Sequence, residues 1–152
     1  SLQVRTREAL PVEWAQSMNN LANAYVERIR EDRAENIEQA IAAYQQSLQV
    51  RTREALPVEW AQSMMNLANA YYFRIREDRA ENIEQAIVAY QQSLEVMTRE
   101  ALPVEWATSM NNLATAYYSR IRGDRAENIE QAIAAYQQSL EVMTREALPV
   151  EW

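Results

Sequence analysis

The 152-residue sequence contains no cysteine, no histidine and no lysine, and its only glycine is Gly123. Without cysteine there is no disulfide, no thiolate nucleophile and no thiolate-held metal. Without histidine, imidazole-bound metal and the commonest general base near neutral pH are excluded too. All 15 basic residues are arginine, against 22 acidic ones, giving a net charge of −7. That balance disfavours nucleic acid and acidic membranes as partners, since both attract basic surfaces. No apolar run approaches the roughly 18 residues that span a bilayer, and no signal-peptide pattern opens the sequence. The expected location is the cytoplasm.

What the sequence has is repetition. Ser1-Leu-Gln-Val returns at Ser47, and again as Ser93-Leu-Glu-Val and Ser139-Leu-Glu-Val, a period of 46 residues without slippage. Residues 1–46 and 47–92 differ at four positions: Asn19/Met65, Val26/Tyr72, Glu27/Phe73 and Ala42/Val88. Such likeness implies recent duplication or deliberate consensus design. The boundaries follow from the period: 1–10 as the trailing half of a second helix, repeats at 11–56, 57–102 and 103–148, and the start of a further unit at 149–152. Both ends therefore fall inside a repeat, and stacking faces left bare there would favour association of copies end to end.

Each period holds two helical patterns and no strand pattern. In the first, helix A, Trp14, Met18, Leu21, Ala22, Tyr25 and Ile29 recur within one sector of a helical wheel, a packing stripe. Pro11 suits the first turn, where its missing N–H costs nothing. In the second, helix B, Ile37, Ala40, Ile41, Tyr44 and Leu48 share a side, and the pattern is expected to run through Arg53 to Ala55 before Pro57 stops it. Two overlapping capping boxes, Asp32-x-x-Glu35 and Asn36-x-x-Gln39, could each start it between Arg33 and Ile37. Short connections make consecutive helices antiparallel neighbours, and stacked helix pairs at a fixed period make an all-α solenoid.

Met18-x-x-Leu21-Ala22-x-x-Tyr25, then Ala40-x-x-x-Tyr44, then Pro57 resembles the tetratricopeptide repeat signature W-x-x-L-G-x-x-Y, A-x-x-x-F, P. Leu21, Tyr25 and Ala40 match directly, and Met18, Ala22 and Tyr44 replace their counterparts by size. The usual repeat has about 34 residues, so this one is lengthened in both connections. In that respect, and in its Asn-Asn-Leu-Ala segment, it resembles the long repeats of kinesin light chains and related bacterial proteins. The resemblance implies a right-handed superhelix of helix pairs, with helix A lining a concave groove that receives peptide. No cofactor is implied.

The wheel sets Gln16, Asn19, Asn20, Asn23, Val26, Glu27 and Arg30 opposite the packing stripe. Every position that varies among the three A helices lies on this face: Gln16/Gln62/Thr108, Asn19/Met65/Asn111, Asn23/Asn69/Thr115, Val26/Tyr72/Tyr118 and Glu27/Phe73/Ser119. Exposed-looking positions of helix B, such as Glu38, Gln39, Gln45 and Gln46, do not vary. This pattern favours a binding face over surface drift. Asn20, Asn66 and Asn112 form an invariant ladder whose amides could hold a peptide main chain, or bond along their own helix. Met65, Tyr72 and Phe73 in the second repeat read as an apolar anchor, the alternative being packing against neighbouring helices.

Two other readings carry less. Arg122-Gly123-Asp124 spells an adhesion tripeptide, but Arg30-Glu31-Asp32 and Arg76-Glu77-Asp78 show it to be a variant of a turn. The arginines of these turns are expected to form ion pairs with nearby acids of the same turn. The glutamates show no paired arrangement suited to acid–base work, and no loop has calcium-ligand spacing. The chain is expected to be a non-catalytic scaffold that binds a protein or peptide segment, or else an array whose main partner is itself.

Overall fold

The computed structural model describes residues 7–28 and 32–143, which form six helices: α1 (Pro11–Glu27), α2 (Arg33–Leu48), α3 (Pro57–Phe73), α4 (Arg79–Val96), α5 (Pro103–Ser119) and α6 (Arg125–Val142). The odd-numbered helices are helix A of each repeat and the even-numbered ones helix B. Each packs most extensively on its partner within the repeat, and the second helix of a repeat packs next on the first helix of the following one, α2 on α3 and α4 on α5. Within a pair the helices run antiparallel, since Asn23 of α1 meets Tyr44 of α2 while Ala15 meets Ser47. The expected all-α solenoid is what forms.

Proline opens every helix A. Pro11, Pro57 and Pro103 occupy the first turn, preceded by Leu10, Leu56 and Leu102 with φ near −140° and ψ near 71°. The proline ring excludes helical geometry from its predecessor while its own fixed φ suits the helix. Aspartate opens every helix B. The carboxylates of Asp32, Asp78 and Asp124 accept from the N–H of Glu35, Glu81 and Glu127 at 3.2, 3.1 and 3.0 Å. The second capping box has another use. Asn36, Asn82 and Asn128 are buried, and their amides donate to the carbonyls of the preceding loop: Arg28 at 3.4 Å, Arg74 at 3.3 Å with Arg76 at 2.9 Å, and Arg122 at 2.9 Å.

Helix B is shorter than its periodicity suggests. It stops at Leu48, Val96 and Val142, not near Ala55 and its counterparts. Thr52 and Thr98 start separate turns, accepting through Oγ1 from the N–H of Ala55 and Ala101 at 3.1 and 3.2 Å. A threonine hydroxyl offers the backbone this alternative to helix. The bend turns Arg51 and Met97 inward, where both are buried. The packing stripe of helix A is also shorter than expected. Ile29 lies outside the described residues, but its counterparts Ile75 and Ile121 follow the ends of their helices and are each 60% exposed.

Small residues bring the two helices of a pair together. Ala15, Ala22 and Ala40 are fully buried, as are their counterparts in the second repeat. Ser47, Ser93 and Ser139 donate to the carbonyls of Ala15, Ala61 and Ala107 at 2.8, 2.7 and 2.8 Å, so each buried hydroxyl has a partner. Two apolar clusters join these pairs, one around Ile37, Ile41, Tyr44 and Leu67 and one around Ile83, Ile87, Tyr90 and Leu113. Each cluster spans a repeat and the helix that follows, so no repeat completes its core alone. Trp14, Trp60 and Trp106 are half-buried beneath the guanidinium groups of Arg7, Arg53 and Arg99, 5.5–5.6 Å from the ring centroids.

Candidate functional site

All three A helices reach one hollow of about 500 Å³. Asn23, Val26 and Glu27 come from α1, Ile37 and Tyr44 from α2, Asn66, Asn69, Ala70 and Phe73 from α3, and Asn112 from α5. Arg33 also borders it, its guanidinium turned back to the carbonyl of Val26. A smaller hollow of about 70 Å³ adjoins, between Asn69, Tyr72, Phe73, Tyr90, Asn112 and Thr115.

The amides here are oriented by tyrosines. Tyr44 donates to Oδ1 of Asn23 and Tyr90 to Oδ1 of Asn69, and Asn69 Oδ1 also accepts from Asn112 at 3.3 Å. With their oxygens occupied, Asn23 and Asn69 keep their N–H donors for a visitor. In the third repeat Thr115 shares a 2.8 Å bond with Tyr136 and donates to the Asn111 carbonyl at 3.1 Å, so it offers no such donor. The side-chain amide of Asn66 has no hydrogen-bond partner among the described residues. Burial raises the pKa of Tyr44 to about 12, with the Glu27 carboxylate adding to the effect, and it raises that of Tyr90 further still. Both hydroxyls therefore remain donors at neutral pH.

The apolar group divides. Phe73 is 56% exposed and meets Tyr72 edge-on, with centroids 5.2 Å apart and planes at 88°. Tyr72 is half-buried: Arg79 lies 4.8 Å above its ring, and its hydroxyl is 2.7 Å from that of Ser119 on α5. Tyr118 has the equivalent arginine partner, Arg125 at 5.1 Å, but is itself exposed. Met65 lies between repeats, its sulfur 2.7 Å from the Ser109 hydroxyl.

The sequence pattern of the tetratricopeptide repeat family matches at residues 14–54, 60–96 and 106–142, most of the length. The chain belongs to the tetratricopeptide repeat family. No curated protein matches it. Tetratricopeptide repeats generally mediate protein–protein interaction, which is the role of a non-catalytic binding scaffold.

Within this tetratricopeptide array, several residues assigned to an open groove lie elsewhere. Asn19 is buried, 6% exposed, because α3 covers it: Ser63 donates to its Oδ1 at 2.9 Å. Met65 is partly covered by α5 in the same way, so it is not a free anchor, and Tyr72 is tied to Ser119. Gln16 bonds Asn20 at 2.9 Å and accepts from Arg51, placing both outside the main hollow. Gln62 is exposed but also outside it. Asn23, Asn66, Asn69, Phe73 and Asn112 do converge on the main hollow, and Tyr72 and Thr115 border the smaller one.

Constancy on helix B also has a structural cause. Glu38 and Glu84 hold Arg74 and Arg120 of the next repeat through paired bonds of 2.6–2.8 Å, and these bonds draw the Glu38 carboxyl below its ordinary pKa. Gln45 and Gln91 reach Tyr71 and Tyr117 at 3.1 and 2.9 Å. The turn arginines pair across repeats and not within their own turn: Arg76 with Asp32 and Glu35, Arg122 with Asp78 and Glu81. Arg30 lies outside the described residues. These pairs and the cap made by Asp124 engage both charged groups of the adhesion tripeptide. Val88 borders a separate hollow of about 340 Å³ between α3 and α4, with Met64, Leu67 and Tyr71.

Tyr44 and Tyr90 of helix B line the two hollows, which their place on the packing side of the sequence pattern does not suggest. Their signal is the family signature itself: phenylalanine ends its A-x-x-x-F element, and this chain has tyrosine at 44, 90 and 136. The added hydroxyl is the group that meets Asn23, Asn69 and Thr115.

Proposed function

We propose that the A-helix face binds an extended segment of another protein. The amides of Asn23, Asn66 and Asn69 donate to its main-chain carbonyls, and the exposed ring of Phe73 takes one apolar side chain. The observation that carries this reading is the 500 Å³ hollow, into which four asparagines and Phe73 converge from three helices. Main-chain recognition through amides leaves sequence preference to the single apolar contact, so binding should tolerate many sequences with one large apolar residue. Asn20 and Gln62 extend the polar face beyond the hollow, and Tyr118 extends the aromatic one.

The test is selection from a random peptide library on the immobilised chain, followed by titration of the enriched peptides. Asn23→Ala with Asn66→Ala, and separately Phe73→Glu, should each weaken binding by about tenfold or more while helicity is unchanged. Enriched peptides that bind both variants as well as the natural chain would refute the site.

A second reading rests on α6. Ile133 is 43% exposed, whereas Ile87, at the same position of the second repeat, is 5% exposed beneath α5. Leu140 is likewise exposed. A second copy stacking on α6 would cover both. Sedimentation that stays monomeric up to high concentration rejects this reading without affecting the first.

A further inference from the structure

The junction between repeats one and two and that between repeats two and three are alike in nearly every bond. Each has the Glu–Arg fork (Glu38 with Arg74, Glu84 with Arg120), the Gln–Tyr contact and the turn arginine paired with two acids. They differ most at a buried knot. In the first, Ser63 donates to Asn19 at 2.9 Å and accepts from Arg51 at 3.1 Å, while the other arm of Arg51 holds Gln16. In the second, Ser109 meets the sulfurs of Met65 at 2.7 Å and Met97 at 3.5 Å. Asn19 and Arg51 have thus become Met65 and Met97 together, around an unchanged serine.

The two knots differ in energy. Arg51 is 4% exposed, its partners in the knot are neutral, and its buried Nε has no hydrogen-bond partner. Desolvation lowers its pKa, against only the field of Glu59. A buried charge with no counter-charge in contact favours motion that restores it to water. Met97 is fully buried, and opening the second junction would expose apolar surface instead. The next position along the helices favours the second junction as well, since Tyr72 bonds Ser119 where the first junction has Val26 and Phe73, whose side chains carry no hydrogen-bonding group.

We propose that the first junction is the hinge of the array and opens ahead of the second. The large hollow lies across it, with walls from α1 and α2 on one side and α3 on the other, so the hinge sets its width. The hinge stands whether or not that hollow binds a peptide.

Hydrogen exchange of the intact chain, followed by mass spectrometry, tests it. In the natural chain the amides of α1 and α2 exchange faster than those of α5 and α6. Asn19→Met with Arg51→Met, which copies the second knot, slows α1 and α2 by about tenfold or more and leaves α5 and α6 unchanged. Met65→Asn with Met97→Arg, the converse, speeds α5 and α6. Equal exchange of the two ends in the natural chain overturns the proposal. So does a doubly methionine-substituted chain that exchanges as fast as the natural one or loses helical circular dichroism.

Discussion

Replacing Glu77 by glycine should stabilise the chain, and replacing Gly123 by alanine should destabilise it by a similar amount. The two residues occupy the same place in successive turns between helices A and B, with φ of 68° and 82°. A side chain in this left-handed region costs roughly 1–2 kcal/mol. Glycine gives back about 0.4–1 kcal/mol through the greater freedom of its unfolded chain. The net is about 0.5–1 kcal/mol in favour of glycine, if nothing else changes at either site. Little else does. A Cβ added at Gly123 would meet Asn128 Oδ1 at 3.5 Å, an ordinary contact, so the loss there is one of backbone alone. At Glu77 an exposed carboxylate near Arg74 is lost, and exposed charges contribute little. Thermal denaturation followed by circular dichroism measures both, with midpoints expected to move by roughly 1–4 °C in opposite directions. A lowered midpoint for Glu77→Gly, or an unchanged one for Gly123→Ala, would refute the assignment of strain to this turn.

Ile87→Ala should cost about 2–5 kcal/mol in chemical denaturation, because Ile87 is packed beneath α5, whereas Ile133→Ala at the exposed counterpart should cost under about 1 kcal/mol. Raising the pH should weaken the fold through Tyr44. Its folded pKa is about 12 against 10.0, so its contribution is intact below pH 10 and is lost as pH rises towards 12. The loss is about 2–3 kcal/mol, and stability measured across that range should fall less steeply in Tyr44→Phe. Asn82→Ala removes the donor to the Arg74 and Arg76 carbonyls and should cost about 1–3 kcal/mol, with tryptic cleavage after those arginines accelerated relative to the natural chain.

The helices and their order are legible because period and punctuation agree. Proline marks the start of each helix A, and an aspartate three residues before a glutamate marks each helix B. The end of helix B is not legible from periodicity, because Val50 and Arg51 continue the pattern while Thr52 offers the backbone a competing turn. The site is half legible for a related reason. A wheel separates one packed face from the rest, but helix A in a solenoid is covered on more than one side. Asn19 faces Ser63 of the next helix A, and Glu38 of helix B holds Arg74 there. Considered one hairpin at a time, both look exposed. Part of the signal for the knot was nonetheless in the sequence: Asn19 and Arg51 are both replaced in the second repeat, by Met65 and Met97, although the third repeat pairs Asn111 with Met143. The tyrosine–asparagine pairs give no such signal, since Tyr44 and Asn23 are unchanged in the second repeat.

The Asn19–Arg51 knot also bears on how such an array can be copied. Its two variable members belong to one repeat but sit on either side of helix B, so a duplication cut anywhere between them separates asparagine from its arginine or methionine from its methionine. The third repeat carries such a mixed combination, Asn111 with Met143. An array of this kind can lengthen by whole matched units without disturbing its seams, whereas recombination inside helix B brings together halves that were shaped for different neighbours.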